Sequence, residues 1–153
     1  YKSVKVLIHR ISLRFIFVKN TDMRKPIEMF RVEIKKDIEK YSSQGDSNLL
    51  KVLNEYLQSL NCNKHIILGM MANKDHNEYM SYFKDIKSLT TIDIPNQPNA
   101  IKGNELKEKI KNFENINYKN SIEEAISSID LQENDIILIT GSLYLAGEVL
   151  NLN

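Results

Sequence analysis

The sequence predicts an α/β protein: a Rossmann-like, mainly parallel sheet with helices on both faces, preceded by an N-terminal extension. Three observations predict it. From about residue 47 onward, short apolar runs such as HIILGM (65–70) and DIILITG (135–141) alternate with segments of helical spacing. The runs are apolar at nearly every position, as strands covered on both faces are. Alternation of this kind builds β-α-β units, whose right-handed crossovers lay helices on both faces of a parallel sheet.

Taken in order, KVLIHR (5–10) and LRFIFVK (13–19) read as two strands, and Pro26 opens a charged helical segment, PIEMFRVEIKKDIEKY (26–41). SSQGDSN (42–48) reads as a linker, which divides the chain into an extension over 1–46 and an α/β domain over 47–153. SNLLKVLNEYLQSL (47–60) puts Leu49, Leu50, Leu53, Tyr56, Leu57 and Leu60 on one helical face. After the strand HIIL, DHNEYMSYFKDIKSL (75–89) sets Tyr79, Met80, Phe83, Ile86 and Leu89 on one side of a helix. Asp75 with Glu78 resembles a capping box at its start. TTIDIP (90–95) reads as a strand ended by Pro95, GNELKEKIKNF (103–113) as a helix and INY (116–118) as a short strand. SIEEAISSI (121–129) is a helix capped by Ser121 or Asn120. DIILITG is the last strand and YLAGEVLNL (144–152) the last helix, where Gly147 suggests close packing against the sheet.

The 153 residues are 42% hydrophobic and 27% charged, enough for one domain with a core and too apolar for disorder. Residues 1–40 carry eleven Lys/Arg against five Asp/Glu, a net of +6, while the rest carries ten against fifteen, a net of −5. The basic segment contains no nucleic-acid-binding motif, which argues against a nucleic-acid partner. In VKVLIHRISLRFIFV (4–18), His9, Arg10 and Arg14 interrupt the apolar run, and no signal-peptide cleavage pattern follows, so no membrane partner is expected. Cys62 is the single cysteine, which excludes an intrachain disulfide and a cysteine-rich metal site and fits a reducing, cytoplasmic compartment. It reads as a small residue closing a helix. His9, His65 and His76 show no metal-ligand spacing, and His65, just before a strand, reads as structural. The chain opens on Tyr1 rather than methionine, which is expected of a piece of a longer product.

In open α/β sheets, ligands bind outside the carboxyl ends of the strands. That places GMMANKD (69–75), PNQPNAIKG (95–103) and TGSLY (140–144) on one edge. At the end of the first loop, Lys74 is placed to reach a phosphate or carboxylate, and Asp75 to orient a metal-bound or amine ligand. The plain alternative is a solvated lysine beside an N-cap aspartate. The Ser142 hydroxyl either caps the last helix or joins the N–H groups of 142–144 in holding an anion. Tyr144 fits either core or cleft. No residue reads as catalytic. The five glycines form neither G-x-x-x-x-G-K-[ST] nor G-x-G-x-x-G, so the chain carries no phosphate-cradling loop of its own.

HIILGMMANKD, IPNQPNA and ITGSLYLAGEVL, in this order and spacing, resemble the C-terminal domain of bacterial folylpolyglutamate synthase/dihydrofolate synthase, in the Mur ligase superfamily. The resemblance covers residues 47–153. It implies a fold of the Mur ligase C-terminal type and a ligase of folate biosynthesis and one-carbon metabolism. Such enzymes use ATP and magnesium to activate a carboxylate of a pteroate or folate as an acyl phosphate, which the amino group of glutamate attacks. The resemblance also implies that the P-loop, the metal ligands and much of the folate site lie on an N-terminal ATPase domain, here expected as a separately encoded partner. The C-terminal domain then closes over that site and helps to hold nucleotide and glutamate.

By the same resemblance, Lys74 and Asp75 match the family's D-K-D loop, with Asn73 at its first aspartate, and Gly141-Ser142-Leu143-Tyr144 match T-G-S-L-Y. Lys74, Asp75, Ser142 and Tyr144 are therefore the substrate- or nucleotide-binding residues it implies. Besides Asn73, other departures matter more. Asn99-Ala100 stands where the family has Arg-Ala, and QGDSN (44–48) aligns with D-G-A-H-N but keeps only Gly45 and Asn48. Residues 1–43 match nothing in the family. The expectation is a truncated or split-gene domain, inactive alone, that binds neither ATP nor magnesium tightly. The alternative is a non-catalytic anion-binding, amino-acid-binding or interaction module.

Overall fold

The computed structural model describes residues 3–8, 15–21, 46–132 and 135–150. Its elements are β1 (Ser3–Ile8), β2 (Phe15–Thr21), α1 (Asp46–Ser59), β3 (Lys64–Leu68), α2 (His76–Ser81), β4 (Ser88–Ile92), α3 (Gly103–Lys109), β5 (Asn117–Lys119), α4 (Ile122–Ser128), β6 (Ile136–Thr140) and α5 (Leu143–Leu150). The strands form one sheet in the order β1-β2-β6-β3-β4-β5. β6, β3, β4 and β5 run parallel, and β2 joins β6 antiparallel, from Phe15 opposite Thr140 to Lys19 opposite Ile136. The predicted Rossmann-like α/β fold is the one observed.

All five residues of β3 and of β6 are buried, as expected of strands covered on both faces. Their side chains alternate between two cores. Ile66, Leu68, Ile136 and Leu138 pack with Leu50, Leu53 and Leu57 of α1, Met80 of α2 and Leu106 of α3. Ile67, Ile137 and Ile139 pack on the other side with Ile122 and Ala125 of α4 and Leu145 of α5. Each fully buried Leu or Ile contributes about 1.5–3 kcal/mol of transfer free energy, so the central strands and their helices hold each other in place.

Several expectations are corrected in extent. The helix predicted over 75–89 ends at Ser81. α1 draws the following backbone away: Gln58 donates to the Lys84 carbonyl at 2.7 Å, and Lys84 N–H donates to Asn54 Oδ1 at 3.2 Å. Asp85 then takes a φ of 54°, which ends helical geometry, and Leu89 belongs to β4. β4 spans 88–92 rather than 90–95, and α3 stops at Lys109 rather than running to 113. Gly147 is not a close-packing position, since a Cβ there would meet nothing within 4 Å among the described residues. The two N-terminal strands fall at 3–8 and 15–21, and the expected linker already belongs to α1 from Asp46. The helical segment expected over 26–41 lies outside the described residues.

At the amino ends of the parallel strands, buried polar groups satisfy one another. Asp135 accepts hydrogen bonds from the backbone N–H groups of Asn63 and Gln132 at 3.1 and 3.0 Å. His65 Nδ1 lies 2.7 Å from Ser88 Oγ, and its Nε2 lies 3.6 Å from Asp135 Oδ2. Burial by itself raises the Asp135 carboxyl pKa, but the hydrogen bonds from Gln132 and Asn63, with His65 beside it, bring it below its usual value.

Candidate functional site

The opposite edge is assembled by backbone. β3, β4 and β6 are parallel, and Leu68 stands level with Thr140, so the loops after these strands leave the sheet on one side. Gly69 N–H donates to the Thr140 carbonyl at 3.2 Å. Gly141 turns with a φ of 113°, and a Cβ there would collide with the Gly69 carbonyl oxygen; only glycine lets these two turns cross. The first loop is clipped to the second by the Met71–Ala100 bridge. Two backbone bonds flank that bridge, Ala72 N–H to Asn99 O at 2.9 Å and Ile101 N–H to Met70 O at 3.1 Å.

Asp75 caps α2, its Oδ1 accepting the Glu78 N–H at 2.9 Å, as the sequence spacing predicts. Ser121 caps α4 in the same way. The Ser142 hydroxyl is buried and accepts the Tyr144 N–H at 3.1 Å, so the capping role is realised. Tyr144 is 53% exposed, which excludes the core reading. Lys74 is exposed. It lines an open depression of about 760 Å³ with Asn73, Asp75 and Asn77, to which Glu108, Lys109 and Lys111 also contribute. The parallel topology puts Lys74 and Ser142 on the same sheet edge, whereas that depression takes its second wall from the end of α3.

The sequence assigns no polar role to Asp93, Tyr118, Tyr79 or His76, all of which act at this edge. Asp93, at the end of β4, accepts the Gly103 N–H at 2.7 Å and the Tyr118 hydroxyl at 2.9 Å. Burial, then the hydrogen bond and charge of Asp93, push the Tyr118 hydroxyl pKa up. Tyr79 meets Thr140 Oγ1 at 2.5 Å, tying α2 to the end of β6. His76 is buried, with Nε2 3.0 Å from the Met71 carbonyl oxygen. Its one signal in sequence is its place directly after an N-cap aspartate. Of the stretch QGDSN, Asp46, Ser47 and Asn48 form the first turn of α1. Among the described residues no three His, Cys, Asp or Glu side chains are placed to hold a metal ion.

The sheet, its crossovers and the loops gathered at its carboxyl edge define a Rossmann-like α/β domain. Residues 45–143 match the family of the Mur ligase glutamate ligase domain, and the chain belongs to that family. Folylpolyglutamate synthase from Thermotoga maritima superposes with a TM-score of 0.58 at 21% identity, over 70% of this chain and 25% of that one. Escherichia coli FolC in complex with DHPP and ADP gives 0.56 at 17% identity, over 70% and 26%. The bifunctional folylpolyglutamate synthase/dihydrofolate synthase of Yersinia pestis, complexed with AMPPNP and Mn ion, gives 0.56 at 14%, over 69% and 26%. At these identities the likeness establishes the fold, and the chain spans about a quarter of the length of the structures it matches. No curated protein sequence matches it. No helix among the described residues is long and apolar enough to cross a membrane.

Proposed function

We propose that this chain is the C-terminal domain of a folylpolyglutamate synthase/dihydrofolate synthase, the ATP-dependent ligase that adds glutamate to folate or dihydropteroate. The observation that carries the reading is the family match over 45–143, with the D-K-D-like and T-G-S-L-Y loops brought to one edge of the sheet. ATP with magnesium would supply the phosphoryl group that activates the carboxylate of the folate or pteroate. The residues of this chain include no phosphate-cradling loop, so both would act from an N-terminal ATPase domain that closes on this one in the cytoplasm.

This chain's own residues attract and orient. The Lys74 ammonium and the N–H groups opening α5 favour an anion such as the glutamate carboxylate, and Asp75, fixed on its helix, sets the end of the Lys74 loop. Exposed Tyr144 lies against the incoming domain. Closure of the two domains excludes water from a labile acyl phosphate. Residues 1–46 are an extension to this domain, and alone the chain binds glutamate weakly and ligates nothing.

A second reading, a non-catalytic anion- or amino-acid-binding module, has one observation in its favour. The Asp75 carboxylate and the Ser142 hydroxyl already accept helix N–H groups. Reconstitution separates the two. Mixed with an N-terminal ATPase domain of a folylpolyglutamate synthase, the chain is expected to support folate-dependent ATP turnover and glutamate addition. Glutamate binding without such turnover selects the module, and turnover by the isolated chain overturns both.

A further inference from the structure

The Met71 carbonyl oxygen is the pivot of the loop that carries Lys74. It accepts the Lys74 backbone N–H at 3.4 Å, closing the Met71–Lys74 turn, and it lies 3.0 Å from His76 Nε2. A carbonyl only accepts, so the His76 proton sits on Nε2. His76 is the first residue of α2 and is 6% exposed. Its helix is anchored from elsewhere: Asn77 Nδ2 donates to the Lys109 carbonyl at 2.9 Å, and Asn77 Oδ1 accepts the Lys111 N–H at 2.9 Å. On the opposite flank, the bond from Ala72 N–H to Asn99 O and the Met71–Ala100 bridge hold the start of the turn. Between these fixed points, Asn73 and Lys74 extend exposed side chains.

We propose that His76 is the positioning residue of Lys74. Its Nε2 proton reaches back five residues to the same oxygen that closes the Lys74 turn. This locks the turn to a rigid helix and sets where the ammonium stands. The proposal rests on the reading of Lys74 as an anion-binding residue. Without the His76 donor, the Met71 oxygen keeps the longer bond from Lys74 and the turn opens.

The test uses the whole 153-residue chain labelled with nitrogen-15. At neutral pH, long-range proton–nitrogen spectra are expected to show a proton on His76 Nε2; an Nε2 without a proton, with the proton on Nδ1 alone, overturns the proposal. His76→Leu keeps bulk and removes the donor. It is expected to speed hydrogen exchange at the Lys74 amide about tenfold while α1 and β3 exchange as before. His76→Gln retains a donor and is expected to restore slow exchange. Unchanged exchange in His76→Leu, or no rescue by His76→Gln, overturns the proposal. Should His76→Leu fail to fold, the tautomer and His76→Gln decide. Titration with L-glutamate is read separately. A wild-type chain that binds none refutes the anion-binding role of Lys74, not the loop mechanics. Where wild type binds, the affinity is expected to fall about tenfold in His76→Leu and to return in His76→Gln; unchanged affinity counts against the proposal.

Discussion

The two ends of the β6-β3-β4 ladder are built on opposite plans. At the amino end, side chains bind one another: Asp135 takes up Asn63 and Gln132, and His65 lies between Ser88 and Asp135. At the carboxyl end, backbone does most of the closing, through the Gly69–Thr140 bond, the Met71–Ala100 bridge and the positive φ of Gly141. At the amino edge the buried Asp135 and His65 are turned to partners within the fold rather than to a ligand. An edge closed by backbone leaves Lys74 and Tyr144 facing water on rigid supports. The strands are the same at both ends, so the difference lies in where the polar groups are used.

Breaking the carboxyl edge is expected to have the largest effect. Gly141→Ala forces a Cβ into the Gly69 carbonyl at a φ of 113°, and a loss of about 3 kcal/mol or more is expected in urea denaturation. A midpoint close to wild type would mean that the crossed turns relax freely. Next comes the amino edge. Asp135→Asn is expected to cost about 2 kcal/mol at pH 7 through its lost charged hydrogen bonds. The folded carboxyl has a lowered pKa, so its contribution is present above the unfolded value of about 4 and is lost as pH falls through the folded one. The gap between wild type and Asp135→Asn should therefore close in melts run at progressively lower pH. A gap that stays constant from pH 7 to pH 2 would refute the charge-based account.

Tyr79→Phe removes the hydroxyl on Thr140 and is expected to cost about 1 kcal/mol by thermal denaturation. Smallest in stability are Lys74→Ala and Tyr144→Ala, expected to stay within about 0.5 kcal/mol of wild type because both side chains are exposed. The comparison is sharpest there: Lys74→Ala should weaken glutamate binding in calorimetric titration, while Asp135→Asn should leave it unaltered.

Much of the fold was legible because burial on two faces writes itself directly into composition. HIIL and IILIT leave little choice of environment, and the apolar spacing of Leu50, Leu53 and Leu57 fixes the face of α1. Asp75 and Ser121 were legible as caps because capping is a contact three residues long. The end of α2 was not, because what stops it is Asn54 and Gln58, about thirty residues upstream, capturing Lys84. His76 was passed over for a similar reason: a histidine without metal-ligand spacing carries no local mark of the carbonyl it will meet.

By itself, the sequence determined the alternation of strands and helices, the strands that would be buried on both faces, and the loops that would gather at one edge. Those follow from periodicity and handedness, which act over a few residues. Only the tertiary structure decided that Ser142 is spent on its helix while Tyr144 reaches water, that Lys74 shares a depression with Glu108, Lys109 and Lys111, and that the Gly141 turn crosses that of Gly69. These are meetings between segments many residues apart. Their geometry is set by how the helices seat on the sheet, and that depends on the packing of the whole core.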